Sequence, residues 1–135
     1  MTAPGAASRG TVLLVEDDDG IRESVCECLR FEGYDVADVV NGAEALSWFE
    51  GGGRPSLVLL DMVMPVMSGA ELLVKIRATP ALAAVPVVLM TAAIQREPAS
   101  ALGAQAFLAK PFELGALLRM VERFCSRSRS ERSPD

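Results

Sequence analysis

The chain contains no histidine, and its 135 residues include only three cysteines, one tryptophan and one tyrosine. With no histidine and no Cys-x-x-Cys pair, a soft-metal site is not expected. Cys26 and Cys28 lie two residues apart on a predicted helix, so they point to different faces and should not form a disulfide. An odd number of cysteines without a pairing framework fits a reducing compartment, and we expect the cytoplasm.

Basic surfaces and long apolar runs are also scarce. The net charge is −5, and the clustered arginines (Arg127, Arg129 and Arg132) lie in a Ser-rich tail beside Glu131. Nucleic acid is therefore not expected as a partner. The tail could steer an acidic partner, but we interpret it as an unstructured end. No run approaches the roughly 18 apolar residues of a membrane span, and residues 1–10 have no apolar signal core.

What the sequence does contain is a regular alternation of short apolar segments and helical patterns. Half of the residues are apolar, which suits one domain with one core. Ile21, Val25, Cys28 and Leu29 have the spacing of one buried helical stripe. The alternation predicts an α/β fold, a doubly wound five-stranded parallel sheet with helices on both faces. The predicted strands are 11–15, 35–39, 57–60, 86–90 and 106–109.

The domain boundaries follow from composition. Residues 1–10 read as a disordered lead, 11–125 as the folded domain and 126–135 as a disordered Ser/Arg tail. The segment 92–103 is the least regular part, and Pro98 and Gly103 suggest a short fourth helix there. Asp18 and Asp19 suit the start of the first helix, and the second strand reads as an edge.

The strand 57–60 is apolar at every position, which is typical of the middle of a parallel sheet. Asp61 follows it directly, at the end of the strand where open α/β sheets bind ligands. Taken alone, Asp61 is equally consistent with a residue that only caps the next turn. However, the chemically reactive residues all follow predicted strands in this way. These residues are Glu16, Asp17, Asp61, Thr91 and Lys110.

Their chemistry predicts a phosphoryl site. Three carboxylates in one crevice repel each other and are normally held by a cation. Oxygen ligands favour a hard ion, Mg²⁺ before Ca²⁺. A hydroxyl and an ammonium beside them are suited to hold a phosphoryl group, and Asp61 could accept it as an acyl phosphate. The methionines near Asp61 are interpreted as packing residues, since no cysteine or histidine accompanies them.

Four motifs in this order resemble the response-regulator receiver domain of bacterial two-component signalling. The resemblance covers about residues 11–125 and implies a flavodoxin-like sheet of strand order 2-1-3-4-5. The motifs are Val15-Glu16-Asp17-Asp18; residues 59–65 with Ser68-Gly69; Met90-Thr91-Ala92; and Gly103-Ala104 with residues 107–112.

The resemblance assigns the acceptor and the metal ligands. Asp61 resembles the phosphoacceptor, and Glu16 and Asp17 resemble the acidic pair that holds Mg²⁺ with it. The backbone carbonyl of Val63 would complete the metal shell.

The resemblance also assigns the phosphoryl-binding residues. Thr91 resembles the hydroxyl residue that binds the phosphoryl oxygen, and Lys110 resembles the lysine that pairs with it. The bond from Lys110 to Pro111 is expected to be cis. Phe107 takes the place of the aromatic switch residue, although it could also be a simple core residue.

The implied function is a phosphorylation switch rather than an enzyme with its own substrate. The implied donor is a sensor histidine kinase or a histidine phosphotransfer protein. The predicted tail is too short to fold as an output domain, unless the chain is part of a larger protein. We therefore expect output through contact with a downstream protein, or through onward transfer of the phosphoryl group to a histidine phosphotransfer protein, from a monomer or weak homodimer. An interaction module that never takes up phosphate is the alternative. A phosphatase or flavin protein is disfavoured, because the sequence shows neither a substrate pocket nor a phosphate-cradling loop. Gly51–Gly53 lack the Lys-Ser/Thr of a phosphate-binding loop, so nucleotide binding is not supported.

Two departures from the family pattern give expectations particular to this chain. Thr91 and Lys110 lie 19 positions apart (110 − 91), about three fewer than the family leads us to expect, or close to one helical turn. We therefore expect a short helix within 92–102 and an altered partner surface there. Val63 and Ala93 are apolar and cannot hydrogen-bond an attacking water, so the phosphoryl group should be long-lived.

Overall fold

The computed structural model describes residues 8–64, 66–92 and 103–132. Strands and helices alternate along the chain, as the sequence pattern predicts. In chain order the elements are β1 (Thr11–Val15), α1 (Asp19–Phe31), β2 (Asp35–Val39), α2 (Gly42–Glu50), β3 (Leu57–Asp61), α3 (Gly69–Ala78), a short 3-10 helix (Pro80–Leu82), β4 (Val87–Thr91), β5 (Ala106–Ala109) and α4 (Leu114–Arg132).

All five strands form one parallel sheet in the order β2-β1-β3-β4-β5. The strand order implied by the resemblance is therefore confirmed, and β2 is an edge strand as predicted. β3 is buried at every position because it has a strand on each side and helices above and below. This register brings the carboxyl ends of β1, β3 and β4 side by side.

Two apolar cores lie on the two faces of the sheet. Alternate residues of β3 point into the two cores: Leu57 and Leu59 face one, and Val58 and Leu60 face the other. Helices α1 and α4 cover the first face, and α2 and α3 cover the second. This is the doubly wound architecture that the alternation predicts.

One detail of the α1 stripe differs from the prediction. Val25 and Leu29 are fully buried as expected, but Cys26 is 4% exposed while Cys28 is only half-buried. The prediction that Cys28 faces the core was wrong, because α1 packs against both the sheet and α4, and its buried face therefore widens to include Cys26. Both cysteines are free thiols, as predicted.

Local signals set the ends of the helices. Asp18 caps α1 by accepting a hydrogen bond from the amide of Ile21, which confirms its predicted role at the helix start. Gly33 follows the end of α1 with φ of +95°, a conformation that favours glycine. Ser68 and Glu71 form a reciprocal capping box at the start of α3. The helices on either side of Asp61 are thus fixed in place.

The predicted disordered lead was too long. The amide of Arg9 donates to the carbonyl of Gly33 (3.1 Å), and its guanidinium donates to Glu122 (2.9 Å) and lies over the Tyr34 ring. Residues 8–10 therefore join the fold, because Arg9 finds partners just after α1 and on α4, which lie far from it in sequence. Residues 1–7 lie outside the described part of the chain.

The predicted tail also began too early. Helix α4 continues to Arg132, seven residues beyond the predicted end at 125. No proline or glycine interrupts the sequence between Gly115 and Pro134, and arginine favours helix, so nothing local stops it. The predicted short helix around Pro98 lies outside the described residues. Within the described residues, no helix has both the length and the apolar character needed to cross a membrane.

Candidate functional site

Three carboxylates meet at the carboxyl end of the sheet. Glu16 follows β1 directly, Asp17 is the next residue, and Asp61 is the last residue of β3. Each offers one oxygen, and these three oxygens lie within 4.8 Å of one another. Glu16 and Asp61 are buried, whereas Asp17 is exposed to solvent. The parallel register brings them together, because β1 and β3 are adjacent and end at the same level.

Lys110 supplies a positive charge beside this cluster. It follows β5, and its ammonium donates to Glu16 Oε1 (2.7 Å) and lies 3.3 Å from Asp61 Oδ1. Burial lowers the pKa of Lys110, but its hydrogen bond to Glu16 and the charges of Glu16 and Asp61 outweigh burial, so the pKa lies above its usual value. Lys110 therefore remains an ammonium and links the first, third and fifth strands.

Asp61 is the most perturbed group of the site. Burial raises its pKa, repulsion from Glu16 adds to this, and the attraction of Lys110 offsets only part, leaving a pKa of about 7. The site thus concentrates more negative charge than one ammonium can balance. A bound cation would balance this excess negative charge.

Thr91 and Phe107 flank the cluster on the neighbouring strands. Thr91 ends β4 next to Asp61, is buried, and its carbonyl accepts a hydrogen bond from the Lys110 amide (2.8 Å). Phe107 lies in β5 opposite Leu89 and packs, half-buried, against the core on the α2 and α3 side. The fold therefore brings Thr91 to the crevice and Phe107 to the adjoining core. The peptide bond between Lys110 and Pro111 is cis.

The loop after β3 wraps closely around Asp61. The amide of Val63 donates to Asp61 Oδ1 (3.3 Å), while the Val63 side chain is 76% exposed. A Cβ at Gly69 would collide with the carbonyl oxygen of Asp61 and lie 2.9 Å from the Cα of Met62. Because both contacts are with backbone, only glycine fits at this position. The sequence pattern includes Gly69 in a motif, but the close approach that requires it is visible only in the structure.

Arg22 is the residue of this region that sequence reasoning missed. Its guanidinium donates to the carbonyl of Glu16 (3.0 Å) and to the carboxylate of Asp19 (2.6 Å). A sequence signal was available, because Arg22 lies three residues after Asp19, a spacing that favours a pair on a helix. That signal predicts only the exposed pair and not the contact with Glu16.

The donor set suits a hard divalent cation. Among the described residues, the cluster that could hold a metal is made of carboxylate oxygens, which Mg²⁺ prefers. Two of the three carboxylates are buried, and the pKa of Asp61 is raised where a cation would lower it. Glu16, Asp17 and Asp61 therefore fit Mg²⁺. The amide of Val63 contacts Asp61, but its predicted role as a carbonyl ligand stays a prediction.

A doubly wound parallel sheet of order 2-1-3-4-5 with an acidic crevice at its carboxyl end defines a flavodoxin-like α/β domain. The chain belongs to the response-regulator receiver domain family, whose sequence model matches residues 12–122.

Named relatives support this assignment. The chain is 34% identical over 127 residues to the response regulator MprA of Mycobacterium sp. (strain KMS), covering 92% of this chain and 54% of that protein. It is 35% identical over 119 residues to the sensory transduction protein RegX3 of Mycobacterium tuberculosis (strain ATCC 25618 / H37Rv), covering 84% and 51%. The chain thus spans about half the length of these relatives.

Solved structures agree with the fold. The chemotaxis response regulator CheY4 of Vibrio cholerae superposes with a TM-score of 0.76 at 31% identity, covering 84% of this chain and 97% of that one. The receiver domain of the sensor histidine kinase PA1611 from Pseudomonas aeruginosa PAO1 gives a TM-score of 0.76 at 31% identity, covering 89% and 99%. That structure has a magnesium ion coordinated in the active site cleft.

Proposed function

We propose that this receiver domain is a Mg²⁺-dependent phosphoacceptor switch in which Asp61 is the residue that is phosphorylated. The observation that carries the proposal is the crevice itself. Glu16, Asp17 and Asp61 offer oxygens within 4.8 Å of one another, and Lys110 lies 3.3 Å from Asp61. Acids at this density suit a cation, and a cation beside a carboxylate and an ammonium suits phosphoryl transfer.

The proposed chemical step is transfer from a phosphorylated histidine of a partner. A carboxylate oxygen of Asp61 attacks the phosphorus, the new P–O bond forms as the P–N bond breaks, and the electron pair returns to the imidazole nitrogen. Mg²⁺ bound by Glu16, Asp17 and Asp61 would balance the negative charge of the phosphoryl oxygens. The nucleophile must be ionised, and with a pKa of about 7 only about half of Asp61 is ionised at neutral pH in the metal-free site, so a bound cation would favour the reactive form.

Three residues are assigned roles after the transfer. Lys110 pairs with a phosphoryl oxygen, for which its ammonium is already placed beside Asp61. Thr91 moves its hydroxyl toward the phosphoryl group. Phe107 then turns further inward, a change that its half-buried position against the α2 and α3 core allows. Phosphorylation would in this way convert a charge at Asp61 into a change on β4 and β5.

The proposed partners follow from this chemistry. A sensor histidine kinase or a histidine phosphotransfer protein supplies the phosphoryl group, and output passes by protein contact to a downstream target. We propose a monomer or weak homodimer in the cytoplasm, and no enzymatic activity beyond its own phosphorylation and dephosphorylation. The magnesium ion in the related PA1611 receiver structure supports the choice of metal.

The test is the intact mass of the protein after incubation with Mg²⁺ and acetyl phosphate, with Asp61→Asn as the control. We expect a gain of one phosphoryl group in the wild type, no gain in the variant, and no gain after chelation of the metal. Circular dichroism would verify that both proteins are folded. A folded wild type that gains no phosphoryl group would refute the switch and leave a phosphorylation-independent interaction module.

A further inference from the structure

One guanidinium holds the acidic loop between β1 and α1 at several points. Arg22 donates from Nη1 to the carbonyl of Glu16 (3.0 Å) and from Nη2 to Asp19 Oδ1 (2.6 Å). Its Nε lies 3.4 Å from Asp38 Oδ2 on β2. The side chain is 14% exposed, so it is largely enclosed by these partners. Arg22 therefore ties the first helix, the acidic loop and the neighbouring strand together.

The contact with Glu16 bears directly on Asp17. The carbonyl of Glu16 belongs to the peptide unit that joins Glu16 to Asp17, so fixing this oxygen fixes the plane from which Asp17 extends. Asp17 is exposed, and the position of its carboxylate therefore depends on the backbone of the loop. On the other side, the amide of Asp18 donates to Glu16 Oε2 (3.1 Å). The loop is thus held on both sides of Asp17.

The positive charge of Arg22 does not by itself favour cation binding at this site. A guanidinium beside the acidic pair repels an incoming cation, so by charge alone its loss should tighten Mg²⁺ binding. As an organiser of the loop it has the opposite effect, because ligands that are already in place lose less entropy on binding. The two roles therefore predict opposite signs for the same substitution.

We propose that Arg22 is a positioning residue for the metal site, which sets the Glu16–Asp17 peptide so that Asp17 meets the cation. The proposal rests on the Mg²⁺ site of the proposed function. A planar guanidinium suits this task because it can serve the carbonyl and two carboxylates at once, which a lysine ammonium on a single stem cannot do in the same geometry.

The chain offers a matched control. Arg30 lies two turns further along α1, is 51% exposed, and also contacts Asp38 (3.6 Å). Its other described partner is the carbonyl of Val36 on β2 (3.1 Å), rather than the acidic loop. Arg30→Met therefore removes a positive charge from the same helix and a contact with the same carboxylate, Asp38. The hydrogen bond from Arg22 to the carbonyl of Glu16 is kept.

The experiment measures Mg²⁺ affinity by calorimetry in wild type, Arg22→Met, Arg22→Lys and Arg30→Met. We expect Arg22→Met to weaken binding by about tenfold, the lower end of the range for residues that orient metal ligands. Arg22→Lys should also weaken it, although the charge is preserved, and this variant decides the question if Arg22→Met does not fold. Arg30→Met should stay within about twofold, the change expected from a remote exposed charge.

Hydrogen exchange without metal provides a second reading. The amide of Asp18 should exchange faster in both Arg22 variants than in wild type. In Arg30→Met its exchange rate should equal that of wild type. Unchanged or tighter Mg²⁺ binding in the Arg22 variants, when wild type binds Mg²⁺ and takes up phosphate, would overturn the role of Arg22 alone. A wild type that binds no Mg²⁺ would overturn this role and the proposed metal site together.

Discussion

The two ends of the sheet handle buried charge in opposite ways. At the amino end, the half-buried guanidinium of Arg77 donates to neutral oxygens around the starts of β4 and β5. These are the carbonyls of Gly103 (2.7 Å), Val85 (2.7 Å) and Ala83 (3.1 Å) and the side chain of Gln105 (3.0 Å). At the carboxyl end, Glu16 and Asp61 are buried beside each other with Lys110 between them.

The difference shows which end is built for stability and which for binding. The charge of Arg77 is distributed over several acceptors, so the amino end is satisfied by the protein itself. At the carboxyl end, the pKa of Asp61 is raised to about 7 because like charges are crowded together. Such crowding costs stability unless a ligand relieves it. The following predictions test this contrast, from the largest expected effect to the smallest.

The largest effect is expected from Gly69→Ala at the carboxyl end. The added Cβ would collide with the carbonyl oxygen of Asp61, so the backbone must move. We expect a loss of about 3 kcal/mol in the free energy of unfolding, near the top of the range for overpacking, and weaker Mg²⁺ binding because Asp61 shifts. Urea unfolding and calorimetry would measure the two effects.

Gly115→Ala is the matched control for this substitution. Its Cβ would lie 3.5 Å from a flexible arginine side chain near the start of α4, and alanine favours helix. It should stabilise the protein by up to about 1 kcal/mol. If Gly69→Ala proved as stable as Gly115→Ala, the close approach to Asp61 would not exist in solution.

A large effect on stability alone is expected from Arg77→Met at the amino end. The substitution leaves several carbonyls without their donor, which should lower the free energy of unfolding by about 2 kcal/mol. Mg²⁺ affinity should be unchanged, since Arg77 lies at the opposite end of the sheet. Arg54→Met is the control: its exposed guanidinium also donates to two carbonyls, of Phe49 and Gly53, and its loss should cost less than about 1 kcal/mol. A clear loss of Mg²⁺ affinity in Arg77→Met would show that the two ends are coupled.

How far the sequence predicts the molecule differs between these two ends. At the carboxyl end it predicts the strands and the convergence of Asp61, Thr91 and Lys110, because each of these residues follows an apolar run and parallel strands end together. The sheet order was implied only by the resemblance to the receiver family. At the amino end it gives no hint of Arg77, because an arginine near the end of an amphipathic helix normally faces solvent. Its partners lie 6 to 28 positions away and are mostly backbone carbonyls, which carry no residue-type signal.

The same limit explains the errors at the chain ends and at the site. Composition made residues 8–10 look disordered, yet the partners of Arg9 lie just after α1 and on α4, up to 113 positions away. The contact of Arg22 with Glu16 is again to a carbonyl. Side-chain patterns predict which face of an element is buried, whereas contacts to backbone depend on how the elements dock.

A moderate effect is expected when pH is varied without metal. The pKa of Asp61 is about 7 in the folded state and near its ordinary value of 3.8 in the unfolded state. At pH values between these two, the folded state therefore binds more protons than the unfolded state. Stability should therefore fall as pH rises from about 4 to 7, by at most about 1.4 kcal/mol per unit. Asp61→Asn and saturating Mg²⁺ should each flatten this slope, as measured by thermal unfolding across the range. A metal-free wild type whose stability rises through this window would contradict the assigned crowding.

The smallest effect concerns the lifetime of the phosphoryl group. The Val63 side chain is 76% exposed beside Asp61 and cannot orient a water molecule for hydrolysis. We expect a half-life of minutes or longer, and Val63→Asn should shorten it several-fold, equivalent to about 1 kcal/mol in the barrier. Loss of the added mass would be followed after the donor is removed. Val66→Asn is the control, since Val66 is 80% exposed in the same loop and its φ of 72° suits asparagine. The phosphoryl half-life of Val66→Asn should match that of wild type. A wild-type half-life of seconds would contradict the prediction, because water would then reach the phosphoryl group without help from the side chain at position 63.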